Sequence, residues 1–305
     1  MKPPQFYVHF NSTYMLLRNY TPYLVGIIML MSLLVPTACI QKNFNKPVIT
    51  VSIQPQKYLL EQIAGNKWEI KCLLTNGANP ESYDPSLSHL LNLENSKAYF
   101  RIGNIPFESA IINKVQNNRP GLKIYDNSEG IELITGTHSH GDKAHADEPD
   151  PHTWTSVKNA KKIALNMYKA LAELDPSQKD FYKANLQDLT QRLDSMDNAI
   201  ARRLSDKDGH AFVVWHPSLS YFARDYGLTQ ISLSPEGKEA SIGMLQSAID
   251  DAKAHNATVM FFQKDIDSRQ AQVANEQIGA EFVSINPLSY SWDKEIETIT
   301  DALAK

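Results

Sequence analysis

The chain has 305 residues, enough for two ordinary domains or one large one. Hydrophobic residues make up 42% and charged residues 21%, which excludes a disordered or fibrous chain. A formal net charge of −4 with no basic stripe argues against nucleic acid as a partner, because phosphate binding is driven by clustered Lys and Arg.

From Tyr23 to Ala38 the sequence YLVGIIMLMSLLVPTA is almost wholly apolar, with Arg18 before it and Cys39 directly after it. The run is short for a membrane span and ends in small residues, as a secretory signal does. A cysteine directly after Thr37-Ala38 resembles a bacterial lipoprotein signal, in which Cys39 becomes the lipidated first residue; Pro36 departs from the usual Leu. The alternative is an uncleaved membrane anchor. Either places residues 40–305 outside the cytoplasm, with Met15 as an alternative start. Cys72, in the apolar run IKCLL, is then the one cysteine of the mature chain, so no internal disulfide forms and the fold rests on its core.

After a polar spacer (40–46), VITVSI (48–53) reads as a strand, followed by a helix through Tyr58, Leu59, Leu60 and Ile63 that stops at Gly65. WEIKCLL (68–74) is a second strand, 88–95 a helix, AYFRIG (98–103) a strand, 107–115 a helix and LKIYD (122–126) a strand. The helical period then runs through Val157 to Leu174. A second helix of about 28 residues, ~42 Å long, starts at Pro176-Ser177 and carries Leu186, Leu189, Leu193, Met196 and Ile200. Beyond it the alternation resumes: AFVVWH (211–216), a helix over 219–225, TQISL, a helix over 242–254, TVMFFQ (258–263), a helix over 269–278, EFVSI (281–285) and a last helix over 293–303. Alternating strands and helices mean βα units around parallel sheets. The reading is an α/β protein of two lobes, 47–176 and 206–305, joined by a long helix over 177–205 and preceded by a signal segment over 1–39.

Open α/β sheets bind ligands beyond the carboxyl ends of their strands, and a gap between lobes adds a cleft. Four polar stretches follow strands or stiffened loops: NGANPESYDP with Glu81, DEPDPHTW with His152, WHPSLSYF with His216, and INPLSY with Asn286. Imidazole nitrogen and carboxylate oxygen bind Zn²⁺, and also Mn²⁺ and Fe²⁺. No zinc-finger or HExxH spacing is present, and a lone histidine at a strand end is more often a hydrogen-bonded core residue.

Taken in order, these segments resemble the metal-binding solute receptors of bacterial ABC importers, the cluster A-I group that serves zinc and manganese. Its G-A-x-P-H-x-Y-x-P appears as Gly77-Ala78-Asn79-Pro80-Glu81-Ser82-Tyr83-Asp84-Pro85, and its D-P-H-x-W as Asp150-Pro151-His152-Thr153-Trp154. Its strand-end ligand and Y-F-x-x-x-Y-G-L appear as His216 and Tyr221 to Leu228, and its D-P-L as Asn286-Pro287-Leu288; Ser234-Pro235-Glu236-Gly237 also matches. The resemblance covers about residues 47–305. It implies a rigid helix between lobes, a metal cleft between them, an extracytoplasmic, lipid-anchored monomer, and an ABC permease with its ATPase as partners. Carried over residue by residue, the metal ligands are His152, His216, Glu81 and Asn286. Glu81 replaces the family's histidine and Asn286 its aspartate, so the fourth position is Asn286, Gln263, water or nothing from the protein.

His216 keeps nitrogen where manganese receptors commonly offer a carboxylate, which points to zinc; the harder donor Glu81 keeps Mn²⁺ and Fe²⁺ as rivals. A metal-dependent hydrolase, with Glu239 or Asp265 as conceivable general bases, and a lipid-anchored adhesin are the alternatives from other classes. Upstream of His152, the histidines His138, His140 and His145 lie in a Gly- and Asp-containing run. They are read either as weak metal-capturing groups or as a solvated loop.

Overall fold

The computed structural model describes residues 46–74, 80, 83, 85–135, 149–234, 241–263 and 268–305. Residues 46–305 form one compact unit. None of the described helices is long and apolar enough to cross a membrane.

The first half builds β1 (Val48–Val51), α1 (Gln54–Ala64), β2 (Glu69–Cys72), α2 (Leu87–Glu94), β3 (Ala98–Arg101), α3 (Pro106–Asn118) and β4 (Lys123–Asp126). Its four strands are all parallel, in the order β2-β1-β3-β4. The second half builds β5 (Ala211–Val214), α6 (Ser220–Asp225), β6 (Thr229–Ser232), α7 (Ile242–Ala254), β7 (Val259–Phe262), α8 (Ser268–Ile278), β8 (Glu281–Ser284) and α9 (Trp292–Leu303). Its strands repeat the same parallel arrangement, β6-β5-β7-β8. Between the halves run α4 (Val157–Leu174) and the 25-residue α5 (Lys179–Arg203). The inner strands β1, β3, β5 and β7 are short, largely buried apolar runs, as the middle of a parallel sheet requires, and AFVV of β5 is buried throughout; the edge strands β2, β4, β6 and β8 are partly exposed.

Local chemistry explains where the helices start. Ser156 Oγ accepts from Asn159 N at 2.9 Å and caps α4, and Ser241 does the same for α7 through Met244 N. At α1, Gln56 Oε1 accepts from both Ser52 N and Ile53 N while its amide donates to Phe100 O and Asn127 Oδ1. The expected strands are each about two residues longer than the observed ones. Ser52 and Trp215 are buried and keep one or two backbone bonds to the neighbouring chain, Leu74 N→Ser52 O, Trp215 N→Phe261 O and Ser234 N→Trp215 O, while buried Ile53 and His216 begin the loops at the sheet ends. Apolar character marks the core, which continues past the last ladder bond.

Tyr182, Leu189, Leu193 and Ile200 of α5 face α1 and α4, and its far end reaches the second half through Tyr226 Oη–Asp197 Oδ1 (3.0 Å) and Arg203–Asp301 (2.7 Å). The main core is shared: Ile49, Phe100 and Ile163 belong to the same apolar cluster as Phe212, Phe261 and Trp292. A smaller cluster around Trp215, Met260 and Ile249 fills the other face of the second sheet.

At the carboxyl end of the first sheet a buried polar group replaces apolar packing. Glu108, in the first turn of α3, accepts from Ser52 Oγ, from Ile102 N (2.8 Å) and from Gly103 N (2.8 Å), and Tyr99 Oη lies 2.7 Å from Ser52 Oγ. Burial pushes the Glu108 carboxyl up to about 7, against those hydrogen bonds and the nearby Arg101, which favour its ionised form. Half-buried Cys72 at the end of β2 lies 3.5 Å from Ser52 O and 3.4 Å from Leu74 O. Burial raises its thiol to about 12, so it is an inert structural cysteine.

Candidate metal centre

Both sheets change direction beside their first strand, between β1 and β3 and between β5 and β7, and ligands of such sheets bind at that crevice. His216 lies two residues beyond β5, at this point of the second sheet. His152 comes from the first half, three residues past an antiparallel bridge between Thr135 and Pro149 that is reinforced by Asp150 N→Ile134 O at 2.8 Å. Prolines 149 and 151 stiffen the chain on either side of Asp150, and a short 3-10 turn over Thr153–Thr155 leads into α4.

Asp150 is fully buried, and its Oδ1 accepts both His152 N and the His152 Nδ1 proton, each at 2.8 Å. A carboxylate only accepts, so Nδ1 carries the hydrogen, and the ring when neutral presents the Nε2 lone pair. Burial alone would raise the Asp150 carboxyl. The charge of His152 and the hydrogen bonds from His152 and Ser220 outweigh that and hold it below its usual range. From the other half, His216 brings its Nε2 to 3.2 Å from His152 Nε2, with the ring planes 69° apart. Both imidazoles are buried, 3% and 9% exposed, so two nitrogens from separate lobes meet away from bulk water.

Trp154 ties this pair to the last loop. Its ring packs on His152 at 5.1 Å, its Nε1 donates to Pro287 O at 2.8 Å, and its own carbonyl accepts from Trp292 Nε1 at 2.7 Å. Asn286, the expected fourth ligand, is therefore next to a residue bonded to the His152 loop. Its side chain is exposed, however, and its Oδ1 accepts from Leu288 N at 3.0 Å, closing its own turn. Tyr83, two residues after Glu81, returns its loop to the end of β2 by donating to Leu73 O at 3.0 Å and packs edge-on against Phe107.

The structure thus brings His152 and His216 together and leaves Asn286 engaged elsewhere. Glu81, His138, His140, His145, Glu239, Asp265 and Cys39 lie outside the described residues. Among the described residues no group of three His, Cys, Asp or Glu side chains converges to hold a metal. The orienting role of Asp150 went unassigned from the sequence, although a carboxylate two positions before a histidine is the local signal for it. Tyr221 and Trp292 carried no such signal, because their partners are distant in the chain.

Two parallel α/β sheets, with a buried histidine pair where the two halves meet and one imidazole backed by a carboxylate, have the architecture of a solute-binding protein. The match to known sequences is specific: the chain belongs to the family described as ZnuA, zinc-uptake complex component A, periplasmic, whose model matches residues 49–304. It is 25% identical over 256 residues to the high-affinity zinc uptake system protein ZnuA of Bacillus subtilis, covering 80% of this chain and 79% of that one. It is 25% identical over 250 residues to the zinc-binding lipoprotein AdcA of Streptococcus pneumoniae, covering 79% of this chain but only 50% of AdcA. A crystal structure of ZnuA superposes with a TM-score of 0.78 at 32% identity, covering 85% of this chain and 98% of that one. A manganese-bound periplasmic metal-binding protein from Candidatus Liberibacter asiaticus, 22% identical with a TM-score of 0.74, shares the fold.

Proposed function

We propose that this protein is an extracytoplasmic receptor that captures Zn²⁺ between its two lobes and delivers it to an ABC importer. The observation that carries the reading is the separation of the two imidazoles. Two nitrogens bound to one tetrahedral zinc at about 2.0–2.1 Å lie about 3.3 Å from each other. His152 Nε2 and His216 Nε2 already stand at 3.2 Å. Asp150 supplies the partner that a zinc-bound imidazole ordinarily has on its other nitrogen. Membership in a zinc-uptake family, the names of ZnuA and AdcA, and the zinc-bound structure of a ZnuA deletion mutant point to the same cargo.

In this reading His152 and His216 are the nitrogen ligands, and Glu81 adds a charged oxygen donor. Water completes the shell, or Asn286 Oδ1 does so after giving up its bond to Leu288 N. Glu81 and an oxygen in the fourth position make the site harder than three imidazoles would, which is the argument for Mn²⁺ or Fe²⁺ as competing cargo. The leader over residues 1–39, lipidation at Cys39, lobes over 47–176 and 206–305 about a connector over 177–205, a monomeric state and a transport rather than catalytic role complete the proposal.

The test has two arms. Metal-free protein is titrated with Zn²⁺, Mn²⁺ and Fe²⁺ in competition with a chromophoric chelator, alongside His152→Ala and His216→Ala. A strain lacking the gene is grown under chelation with each metal added back. Tight zinc binding lost in both variants, with rescue by zinc alone, is expected; rescue by manganese alone would overturn the zinc assignment. Indifference of growth to chelation would overturn the import role.

A further inference from the structure

His152 and His216 come from different lobes, so a small rotation between lobes would change their 3.2 Å separation. The chain right after His216 opposes that rotation. Ser218 N donates to His216 O at 2.8 Å, and four residues past the histidine the chain enters α6. The start of α6 is fixed to β6 by Gln230, whose Oε1 accepts from Leu219 N (2.7 Å) and whose Nε2 donates to Ser220 Oγ (3.0 Å). Tyr221, fully buried, donates its hydroxyl proton to Asp150 O at 2.7 Å and accepts from Ile134 N at 3.2 Å. Ile134 and Asp150 are the two residues flanking the Thr135–Pro149 bridge. One phenol hydroxyl from the second lobe therefore bonds both backbone segments beside the bridge, two residues before His152.

We propose that Tyr221 is a positioning residue for the metal site: its hydroxyl joins the segment carrying His216 to the backbone of Asp150, so the two imidazoles are held as a pair before the metal arrives. The inference rests on the reading of these histidines as ligands. The remaining bonds of this segment to the first lobe and to α5 lie a turn further on and do not touch Asp150. Among the described residues they are Ser156 Oγ to Asp225, Lys158 Nζ to Asp225 O, Arg224 to Glu132 O and to Asn159 Oδ1, and Tyr226 Oη to Asp197. These hold the halves together without acting on His152.

Tyr221→Phe and Tyr226→Phe form a matched pair, because each removes one phenol hydroxyl from the same short stretch. Zinc affinity and release rate of the full chain are measured by chelator competition and stopped flow. The absorption of the cobalt-substituted protein reports coordination geometry, and thermal melts report stability. Tyr221→Phe is expected to lose about tenfold or more in zinc affinity, the loss typical of outer-shell partners, mostly through faster release, and to alter the cobalt bands. Tyr226→Phe should lower the melting temperature and leave affinity and bands in place. Parental affinity and bands in Tyr221→Phe, or equal losses in both tyrosine variants, would overturn the positioning role. Zinc retention by His152→Ala would instead overturn the site reading, and the proposal with it.

Discussion

Glu108→Gln tests how the buried carboxyl under the first sheet sets the stability of the receptor. Burial raises this carboxyl from 4.5 to about 7, so between those values the folded protein holds a proton that the unfolded chain has released. The folded value is the higher one. Its contribution to stability is therefore fully present below about pH 4.5 and is lost as pH rises through about 7. At ~1.4 kcal/mol per pH unit the loss integrates to about 3 kcal/mol. The amide cannot titrate, so the variant lacks this slope. It also carries a fixed penalty, because its NH₂ group faces either Gly103 N–H or the donors Ile102 N–H and Ser52 Oγ–H. The assay is urea unfolding of the metal-free chain at pH 5, 6, 7 and 8, read as the difference between parent and variant. That difference should shrink by about 3 kcal/mol across a full titration, most of it between pH 5 and 7. Parallel curves at every pH would show that Glu108 stays ionised throughout, and that its three donors outweigh its burial.

Asp150→Ala removes the acceptor for His152 Nδ1 and frees the ring, so zinc affinity should fall about 10–100-fold in a direct titration. Zinc affinity should also weaken as pH is lowered, since protons compete for both Nε2 lone pairs; calorimetry in buffers of different ionisation enthalpy should find protons released on binding at acid pH. Gly227→Ala forces a side chain onto φ +71° and drives its Cβ into Asp208 Oδ1. The backbone term alone is about 1–2 kcal/mol, read as a lower urea midpoint with zinc affinity unchanged.

The element pattern was legible because each strand is a compact apolar run and each helix keeps its period. The helices over 157–174 and 242–254 match to the residue. The expected 28-residue helix is a 3-10 turn over Pro176–Gln178 followed by the 25-residue α5, a tightened first turn of the kind common at helix ends. Of the site, the meeting of His152 and His216 was implied by the resemblance of their two segments to the receptor family, not by their spacing in the chain. The fate of Asn286 was not, because an asparagine at the start of a turn is drawn to its own backbone, here Leu288 N, whatever ligand stands nearby. The parts that fix the pair, Tyr221 on Asp150 and Trp292 on Trp154, depend on contacts 71 and 138 residues apart in the chain, which no local pattern encodes.

The apolar cluster that runs without a break from Ile49 through Phe261 to Trp292 has a thermodynamic consequence. Neither half can melt while the other keeps its packing, so the chain should unfold in a single calorimetric transition. A cation gripped by imidazoles from both halves then stabilises the entire cooperative unit, by about 2.7 kcal/mol when free ion stands at a hundred times its dissociation constant. Occupancy of a single buried ion would thus be readable in the resistance of the whole molecule to heat, denaturant and proteases.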